Sequence, residues 1–600
     1  MAFVNLIHSA TIKSLVDLYG QTFSGKDFQV NETKPEFEGD YTVVLFALVK
    51  RLKISPEILA KNLGEQLLKN NPHFISGYNV IKAFLNLVIS EEALNNFLKT
   101  NYNDICFGKK PLTHRKVMVE YSSPNTNKPL HLGHLRNIFL GWSMAEILKA
   151  NGDEVYKSCI VNDRGIHICK SMMAWKQFAN GATPESTRTK GDHFVGDYYV
   201  KFNDEYKKEM NQLVESGKSK EEAAKESLIM KKTQEMLLDW EGGKPEILEL
   251  WNKMNGWVYK GFEETYKRIG SDFDKTYYES QTYILGKEIV QEGLNKQAFY
   301  KKEDGSVWID LTDAGLDEKL LLRGDGTSVY ITQDIGLVKQ KFEQFQLDES
   351  IYVIGDEQIY HMKVLKKICR KLGMPFADNI IHLSYGMVEL TTGKMKSREG
   401  TVVDADDLID EMVATSKHHT EALGKVGDFT EDELNELYEI LGIGAMKFYL
   451  LRVDPKKRMI FNPEESIDFH GFTGPFVQYT YARIKSILRK VRELSGTVLP
   501  APGDLTEAKE KLLPLERSLI IFLEKYEIIL SQAAQELNPS LVANYVYHLA
   551  KTFNSFYTEH SVANAESEEK KALRLHVAVM TATVIKSALQ LLGMKVPERM

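Results

Sequence analysis

The pattern of apolar and polar residues first separates an N-terminal part of mixed character, residues 1–110. Apolar residues recur with helical spacing over Tyr41–Leu52 and Pro56–Lys69, whereas Ile75–Tyr78 and Leu85–Ile89 are short runs typical of strands. A Gly-Lys-Lys-Pro sequence, which is typical of a turn, ends this part. The pattern therefore predicts a separate α+β domain.

Residues 111–457 alternate short apolar runs with amphipathic helices, which is typical of an α/β domain with a parallel sheet. Strands are predicted at Val117–Tyr121, Glu154–Ile160, Ile351–Ile354 and Ile380–Tyr385, and helices at Leu132–Ala150 and Gln358–Leu372. The predicted helix Leu132–Ala150 carries its apolar residues on one stripe. Residues from about 170 to 300 are charged and helical, and we interpret them as an insertion into the sheet domain.

After about residue 458 the strand signals nearly vanish. Four long helices are predicted at Gln478–Leu494, Pro514–Leu537, Leu541–Asn554 and Lys570–Leu592, with a loop at Pro500–Gly503. Residues 458–600 are therefore expected to form a helical bundle. The predicted fold class is a multidomain chain, α/β and all-α, in which a parallel-sheet core with a helical insertion lies between an α+β domain and the bundle.

The composition is that of a globular protein, with 43% hydrophobic and 26% charged residues. The 76 Lys+Arg and 83 Asp+Glu residues give a net charge of −7, which excludes a uniformly basic nucleic-acid binder but not a local basic face. Four cysteines lie far apart with no C-x-x-C pair, which argues against a disulfide framework or a zinc ribbon. No run of about 18 apolar residues occurs, so we expect a soluble, cytoplasmic protein.

The first candidate site combines a polar loop containing Lys128 with His131-x-Gly133-His134 at the start of a predicted helix. The N-terminus of a helix offers unpaired N–H groups and a positive dipole, which favour phosphate binding. Gly133 would let a ligand approach the backbone, and the two imidazoles share a face from which they can donate to phosphate oxygens. The alternative is that the histidines cap a loop or bind a metal. The preceding strand and the following helix favour phosphate binding.

The second candidate site is the basic segment Gly393–Gly400, which contains Lys394, Lys396 and Arg398 between two glycines. Three cations within five residues suit a polyanion, although such a run is also typical of a solvated surface. Its position after a sheet strand, about 260 residues beyond the histidines, favours a role in phosphate binding.

These two segments resemble the H-I-G-H and K-M-S-K-S signatures of class I aminoacyl-tRNA synthetases. Four further stretches are similar to the arginyl-tRNA synthetases, and the similarity spans the chain: Glu120–Asn125, the H-L-G-H-L-R of His131–Arg136, Gly474–Tyr479 with Ala482–Arg483, and Leu592–Met600. The resemblance implies an N-terminal domain that contacts tRNA, a Rossmann-type catalytic core and a helical anticodon-binding domain. It also implies an enzyme that activates arginine with ATP and transfers it to the terminal ribose of arginine tRNA.

A guanidinium favours a carboxylate partner and an aromatic plane, and Tyr330 and Asp334 would share one face of a helical turn. The alternative is a surface pair in a strand-to-helix loop. The resemblance adds Gln358 to this arginine site. It also assigns Glu120, Ser122 and Asn125 to the amino and carboxylate groups of the substrate.

For ATP, the resemblance implies the residues Pro124, His131, Gly133, His134, Gly355, His361, Met387 and Lys394. His361 could instead be a packing residue. We expect ATP to be used with Mg²⁺, and we expect no zinc and no other protein-bound metal.

The basic signature departs from the family pattern, because Ser397 stands where the second lysine of K-M-S-K-S is expected. That lysine normally stabilises the leaving pyrophosphate. Our hypothesis is that Lys128 takes this role, and Lys396 is the local alternative.

Basic residues and tyrosines on the helix near residues 479–492 suit an RNA loop, because cations pair with phosphates and tyrosines stack on bases. An ordinary amphipathic helix with a solvated face is the alternative. With the resemblance, we expect tRNA contacts from Gln478, Tyr479, Arg483, Arg489 and Met600. We expect a monomer that does not bind membranes. The rival interpretations are another class I synthetase, an H-x-G-H nucleotidyltransferase that acts without RNA, and an inactive relative that only binds tRNA.

Overall fold

The computed structural model describes residues 2–390, 403–422, 424, 428–495 and 511–600. The N-terminal elements are α1 (Phe3–Tyr19), β1 (Gln29–Glu32), β2 (Tyr41–Val44), α2 (Phe46–Leu52), α3 (Pro56–Asn70), β3 (Ile75–Ile81), β4 (Phe84–Ile89) and α4 (Glu91–Asn101). The strands form an antiparallel sheet in the order β1-β2-β4-β3. The predicted combination of helices and strands in this part of the chain is confirmed. The helix predicted over Tyr41–Leu52 is wrong in its first half, because the β-branched run Thr42–Val44 pairs between two strands as part of β2.

The middle of the chain contains the elements β5 (Lys116–Glu120), α5 (Leu132–Ala150), β6 (Glu154–Val161), α6 (Ile166–Phe178), α7 (Pro184–Thr187), α8 (Gly191–Glu215), α9 (Lys220–Glu226), α10 (Leu228–Glu241), α11 (Pro245–Ile269), β7 (Lys275–Tyr278), α12 (Glu279–Thr282), α13 (Leu285–Asn295), β8 (Tyr300–Lys301), β9 (Val307–Ile309), β10 (Lys319–Leu322), α14 (Tyr330–Phe345), β11 (Glu349–Gly355), α15 (Ile359–Lys371), β12 (Ile380–Tyr385), β13 (Val388–Leu390), α16 (Ala405–Ala422), α17 (Glu431–Leu451), β14 (Met459–Phe461) and α18 (Pro463–Ser466). Five of these strands form a parallel sheet in the order β12-β11-β5-β6-β7, with β5 at its centre. The four predicted strands are confirmed as members of this sheet.

The fifth strand of the sheet corrects the predicted extent of the insertion. β7 lies within the stretch that we interpreted as helical, and its residues pair in parallel with β6, from Ser158 opposite Lys275 to Val161 opposite Tyr278. The helices α8 to α11 precede β7, and β8, β9 and β10 form a separate antiparallel sheet after it. The four-residue strand follows a long charged helical region, and its short apolar signal was therefore not separated from that region.

The C-terminal part consists of α19 (Gly474–Ser495), α20 (Pro514–Glu524), α21 (Tyr526–Gln535), α22 (Ser540–Glu559) and α23 (Glu568–Leu591). This confirms the helical bundle, although the helix predicted over Pro514–Leu537 is two helices separated at Lys525. A strand also occurs after residue 458, because β14 pairs in parallel with β13. The loop predicted at Pro500–Gly503 lies outside the described residues. By length and composition α23 could cross a membrane, but 78% of its apolar window is buried inside the protein.

Candidate active site

The H-x-G-H turn lies at the N-terminus of α5, directly after the loop that follows the central strand β5. His131 is the N-cap residue, and its Nδ1 accepts the N–H of Gly133 at 3.1 Å. The Nδ1 of His134 accepts the N–H of His131 at 3.1 Å. Two imidazoles therefore satisfy backbone donors in the first turn of the helix.

Both histidines are neutral at physiological pH. Burial, together with the charge of Lys128, lowers the pKa of His131 to about 4, although Asp404 opposes this shift. Burial also lowers the pKa of His134 well below its ordinary value. Because each neutral ring accepts a hydrogen bond at Nδ1, its proton is on Nε2, where it can be donated. The rings thus cap the helix and also offer donors of the kind that phosphate oxygens need.

The neighbouring ring of His131 leaves little space for a side chain at Gly133. A Cβ atom at this position would lie 3.0 Å from Cε1 and 3.1 Å from Nδ1 of His131. A side chain at residue 133 would therefore crowd the imidazole, which would have to shift by a few tenths of an ångström. This reason is additional to the close ligand approach expected from the sequence.

The loop after β5 has an unusual backbone that α5 holds in place. Ser122 and Ser123 both have positive φ, 72° and 48°, a conformation that costs free energy for residues other than glycine. The N–H of Ser122 donates to Oδ1 of Asn137 at 2.5 Å, and Nδ2 of Asn137 donates to the carbonyl of Val353 at 2.8 Å. One side chain of α5 therefore fixes the loop to the neighbouring strand β11.

The residues predicted to hold the amino and carboxylate groups of arginine lie at this loop, but two of them already have protein partners. Glu120 ends β5 and forms a buried ion pair with Lys341 of α14. The hydroxyl of buried Ser122 lies 2.7 Å from the phenol oxygen of Tyr266. Asn125 is partly exposed and bridges to Asn162 after β6. Asn125 is therefore the most accessible of these three side chains.

The residues predicted to bind the guanidinium lie at the start of α14 and before α15. Tyr330 is the first residue of α14 and is 72% exposed, and Asp334 follows one turn later. Gln358 is exposed just before α15. Oδ2 of Asp334 lies 2.6 Å from Nε2 of His361, and this contact raises the pKa of His361. Asp334, a candidate arginine residue, and His361, a candidate ATP residue, are thus in direct contact.

Glu279 is a further candidate that sequence reasoning missed. It directly follows β7, at the same edge of the sheet as the other candidates. Burial raises the pKa of its carboxyl to about 7; Arg164 opposes this shift, and Asp163 and Asp334 add to it. Buried Asp163 accepts the N–H and hydroxyl of Ser280, at 2.9 and 2.7 Å, which fixes the start of α12. The sequence would have indicated Glu279 as a glutamate that directly follows a strand. Because β7 was not predicted, Glu279 was not recognised as a candidate.

The remaining ATP candidates differ in how far the structure describes them. Pro124 and Gly355 are buried beside the ends of β5 and β11. The carbonyl of Met387 accepts hydrogen bonds from Arg136, at 3.3 Å, and from the N–H of Met459, at 3.1 Å. The predicted basic residues Lys394 and Lys396 lie outside the described residues.

A cavity of about 210 Å³ adjoins the H-x-G-H turn, and its lining includes Lys128, His131 and His193. The charge of Lys128 lowers the pKa of both histidines of the turn. Lys128 is therefore close enough to act on an anion held by those rings.

The residues predicted to contact tRNA fall into buried and accessible groups. Gln478 is fully buried and donates to the carbonyl groups of Lys595, at 2.8 Å, and Ile440, at 3.2 Å. The side chain of Gln478 joins α19 to the C-terminal segment and lies below the surface at which tRNA contact is expected. Arg483 donates to Asn554 at 2.6 Å and lies over the ring of partly exposed Tyr479.

Two of the predicted tRNA contacts lie near the C-terminus. Arg489 is exposed and donates to the carbonyl of Glu598 at 2.9 Å. Met600 is partly buried, and both Met600 and Tyr479 pack against the apolar cluster of Leu437, Leu441 and Phe469. The chain end and α19 therefore share one surface region.

Comparison with known proteins identifies the family. Residues 96–462 match the family of tRNA synthetases class I (R), catalytic domain, and residues 477–600 match the DALR anticodon binding domain. The arginine–tRNA ligase of Bacteroides thetaiotaomicron is 51% identical over 594 residues, which cover 99% of each chain. The chain belongs to the arginyl-tRNA synthetase family. The family member of Parabacteroides distasonis is also 51% identical, with complete coverage of both chains.

A solved arginyl-tRNA synthetase from Thermus thermophilus has the same fold, with a TM-score of 0.78, 24% identity and full coverage of both chains. This similarity confirms the predicted architecture, in which a parallel-sheet core lies between a mixed N-terminal part and a helical C-terminal part. The H-x-G-H turn, Asp334 and Glu279 all lie within the match to the class I catalytic domain.

Proposed function

We propose that the chain joins L-arginine to the 3′-terminal ribose of arginine tRNA in two steps, using ATP and releasing AMP and pyrophosphate. One observation carries this proposal: an H-x-G-H turn and a cluster of carboxylates beside an exposed tyrosine share the carboxyl edge of one parallel sheet. Ligands of open α/β sheets bind at that edge.

In the first step, the carboxylate of arginine attacks the α-phosphorus of ATP, the bond to the β-phosphate bridging oxygen breaks, and pyrophosphate leaves. The Nε2–H groups of His131 and His134 would donate to phosphate oxygens, next to the positive end of α5. Lys128 would stabilise the leaving pyrophosphate in place of the second signature lysine. Lys394 and Lys396 would supply further positive charge. Catalysis of this kind depends on positioning and charge stabilisation.

For arginine recognition, Asp334 and Glu279 would share the guanidinium and Tyr330 would stack on its plane. The raised pKa of Glu279 suits this role, because a partly buried carboxylate that also feels the charge of Asp334 is stabilised when a cation arrives. Gln358 would add a neutral hydrogen bond. The amino and carboxylate groups of arginine would lie near Glu120, Ser122 and Asn125, at the end of the central strand.

In the second step, a hydroxyl of the terminal ribose, the 2′-hydroxyl by class resemblance, attacks the carbonyl of arginyl-adenylate and AMP leaves. We assign residues 1–110 and 458–600 to tRNA contact, with anticodon recognition in the second part. The exposed Arg489 and the partly exposed Tyr479 on α19 suit phosphate and base contacts. We also propose that the protein acts as a cytoplasmic monomer.

Mg²⁺ would enter with ATP and neutralise charge on its phosphates. Asp404, which bridges to His131, contacts His193, and Asp406 contacts both His193 and Lys190. These two carboxylates do not fit as magnesium ligands, so phosphate oxygens would hold the ion.

ATP–pyrophosphate exchange with each amino acid, with and without bulk tRNA, tests this proposal. We expect arginine to be the only amino acid that supports exchange. By family resemblance, we also expect this exchange to require tRNA. Exchange with arginine in the absence of tRNA would keep the substrate assignment and remove that dependence. Exchange with a different amino acid, or no exchange in either condition, would refute the proposal.

A further inference from the structure

The H-x-G-H turn is joined to a distant segment by a short antiparallel ladder. The N–H of Leu132 donates to the carbonyl of Val403 at 3.3 Å, and the N–H of Ala405 donates to the carbonyl of Leu130 at 3.0 Å. His131 and Asp404 face each other as the bridged pair between these two bonds. The backbone position of His131 therefore depends on where residues 403–405 lie.

Asp404 is fixed in turn by a histidine from the helical insertion. Nε2 of His193, in the first turn of α8, lies 3.3 Å from Oδ2 of Asp404 and 3.1 Å from Oδ2 of Asp406. The other oxygen of Asp404 accepts the N–H groups of Asp406, at 2.8 Å, and Asp407, at 3.3 Å, at the start of α16. One side chain of the insertion thus holds both the bridge residue and the helix that follows it.

The surroundings of His193 favour a charged contact between its imidazole and the two carboxylates. Its close contacts with the carboxylates of Asp404 and Asp406 raise its pKa to about 10, so it is a cation at neutral pH. It hydrogen-bonds to Asp406, whereas its contact with Asp404 is an ion pair. Lys190 lies 2.6 Å from Oδ2 of Asp406, and Thr265 of α11 donates to Oδ1 of the same residue at 3.0 Å. Lys190 also pairs with buried Asp192 at 3.3 Å, so two protein cations lie among the carboxylates of Asp192, Asp404 and Asp406.

The same residues form a wall next to the catalytic turn. The lining of the cavity of about 210 Å³ includes Lys128 and His131 as well as His193 and Asp404. His193 has no contact with the arginine residues Tyr330, Asp334 or Glu279 among the hydrogen bonds and ion pairs described above. Its effect on chemistry would therefore pass through Asp404 and the ladder.

We propose that His193 is a positioning residue for the activation step: by holding Asp404, it keeps residues 403–405, and through them His131, in the geometry that receives the phosphates of ATP. This inference rests on the proposed function, because it assigns the effect to the H-x-G-H turn. The helical insertion thereby contributes to the geometry of the catalytic turn. A displacement of about 1 Å at a catalytic group can cost about 10²-fold in rate.

The test uses the full-length protein in arginine-dependent ATP–pyrophosphate exchange with tRNA present. For His193→Ala, kcat should fall about 10- to 100-fold, while the KM for arginine stays within about twofold because the guanidinium residues are untouched. His193→Gln should recover kcat in part, because glutamine keeps an N–H donor for Asp406 at a position similar to that of Nε2 but brings no charge to Asp404. Asp404→Asn keeps one oxygen for the helix cap but lacks the charge that His193 binds, so kcat should also fall.

Asp410→Asn is the matched control. Asp410 lies on α16, the helix that begins directly after Asp404, and it pairs at 2.6 Å with Arg268 of α11 on the surface. Its kcat should equal that of the original protein. Two results would overturn the inference. The first is an unchanged kcat in His193→Ala. The second is a kcat that is equally low in His193→Ala and His193→Gln together with a lowered Tm in both variants, because the loss of activity would then reflect a loss of stability. If the unsubstituted protein gives no arginine-dependent exchange, the proposed function fails instead, and the two failures are therefore distinguishable.

Discussion

Lowering the pH from 8 to 6 should weaken arginine binding through Glu279. Burial raises the pKa of this carboxyl to about 7, whereas an ordinary glutamate titrates near pH 4. The guanidinium is a cation throughout this range and binds the ionised carboxylate. Affinity is therefore complete above the raised pKa and is lost as the pH falls through it.

The magnitude follows from the ionised fraction of Glu279. With a pKa of about 7, roughly 90% of the carboxyl is ionised at pH 8 and roughly 10% at pH 6, so the KM for arginine should rise about ninefold. Glu279→Gln should remove this dependence. It should also raise the KM at pH 8 about 30-fold, because a hydrogen bond to a charged group contributes about 2 kcal/mol.

His361 would change arginine binding in the same direction and has to be separated from Glu279. Its contact with Asp334 raises its pKa, and the protonated ring would compete with the guanidinium for that carboxylate as the pH falls. Titration calorimetry of arginine binding at pH 6, 7 and 8, repeated in His361→Gln, isolates the part due to Glu279. Two results would refute the reasoning. One is an arginine affinity that does not change with pH in the His361→Gln protein. The other is a double variant, His361→Gln with Glu279→Gln, whose affinity depends on pH as steeply as that of His361→Gln.

Three further predictions concern other groups of the proposed site. Asp334→Asn should raise the KM for arginine about 20-fold and the KM for ATP less than twofold in pyrophosphate exchange; equal effects on both would contradict the guanidinium assignment. Lys128→Ala should lower the kcat of exchange about 10²-fold, and the hypothesis fails if this variant stays active while Lys396→Ala is inactive. Arg489→Ala should raise the KM for tRNA in aminoacylation about threefold, with a smaller salt dependence; an unchanged KM for tRNA would exclude a contact there.

Local signals in the sequence predicted the elements that carry the H-x-G-H turn. The bounds of α5, Leu132–Ala150, agree with the prediction, because an Asn-Gly stop follows a helix that the two histidines begin. The prediction failed at β7, where a four-residue strand follows long charged helices. Glu279 was missed for the same reason, since a carboxylate is recognised as a candidate only when the strand before it is known.

Contacts between distant parts of the chain could not be predicted from local pattern. Lys341 lies on the helix α14 and is fully buried because it pairs with Glu120, which is 221 residues away. Gln478 likewise looks like an accessible polar residue of a basic helix, yet it is fully buried and donates to the carbonyl of Lys595, 117 residues away. The sequence shows which residue types are present, but only the fold determines which of them remain accessible to arginine or tRNA.

The helix α5 explains how these distant segments can form one site. The sequence predicted a single apolar stripe on it, but most of its residues are buried, so its polar side chains have to find partners inside the protein. Asn137 joins the loop at Ser122 to β11, and Arg136 donates to the carbonyl of Lys457 at 2.8 Å. Ser143 donates to the carbonyl of Leu591 at 2.8 Å, in the last C-terminal helix. The turn proposed for ATP and the loop proposed for the arginine carboxylate are therefore fixed to one rigid helix. In-line attack on the α-phosphorus requires this arrangement, because the two reactants must be held in a common frame.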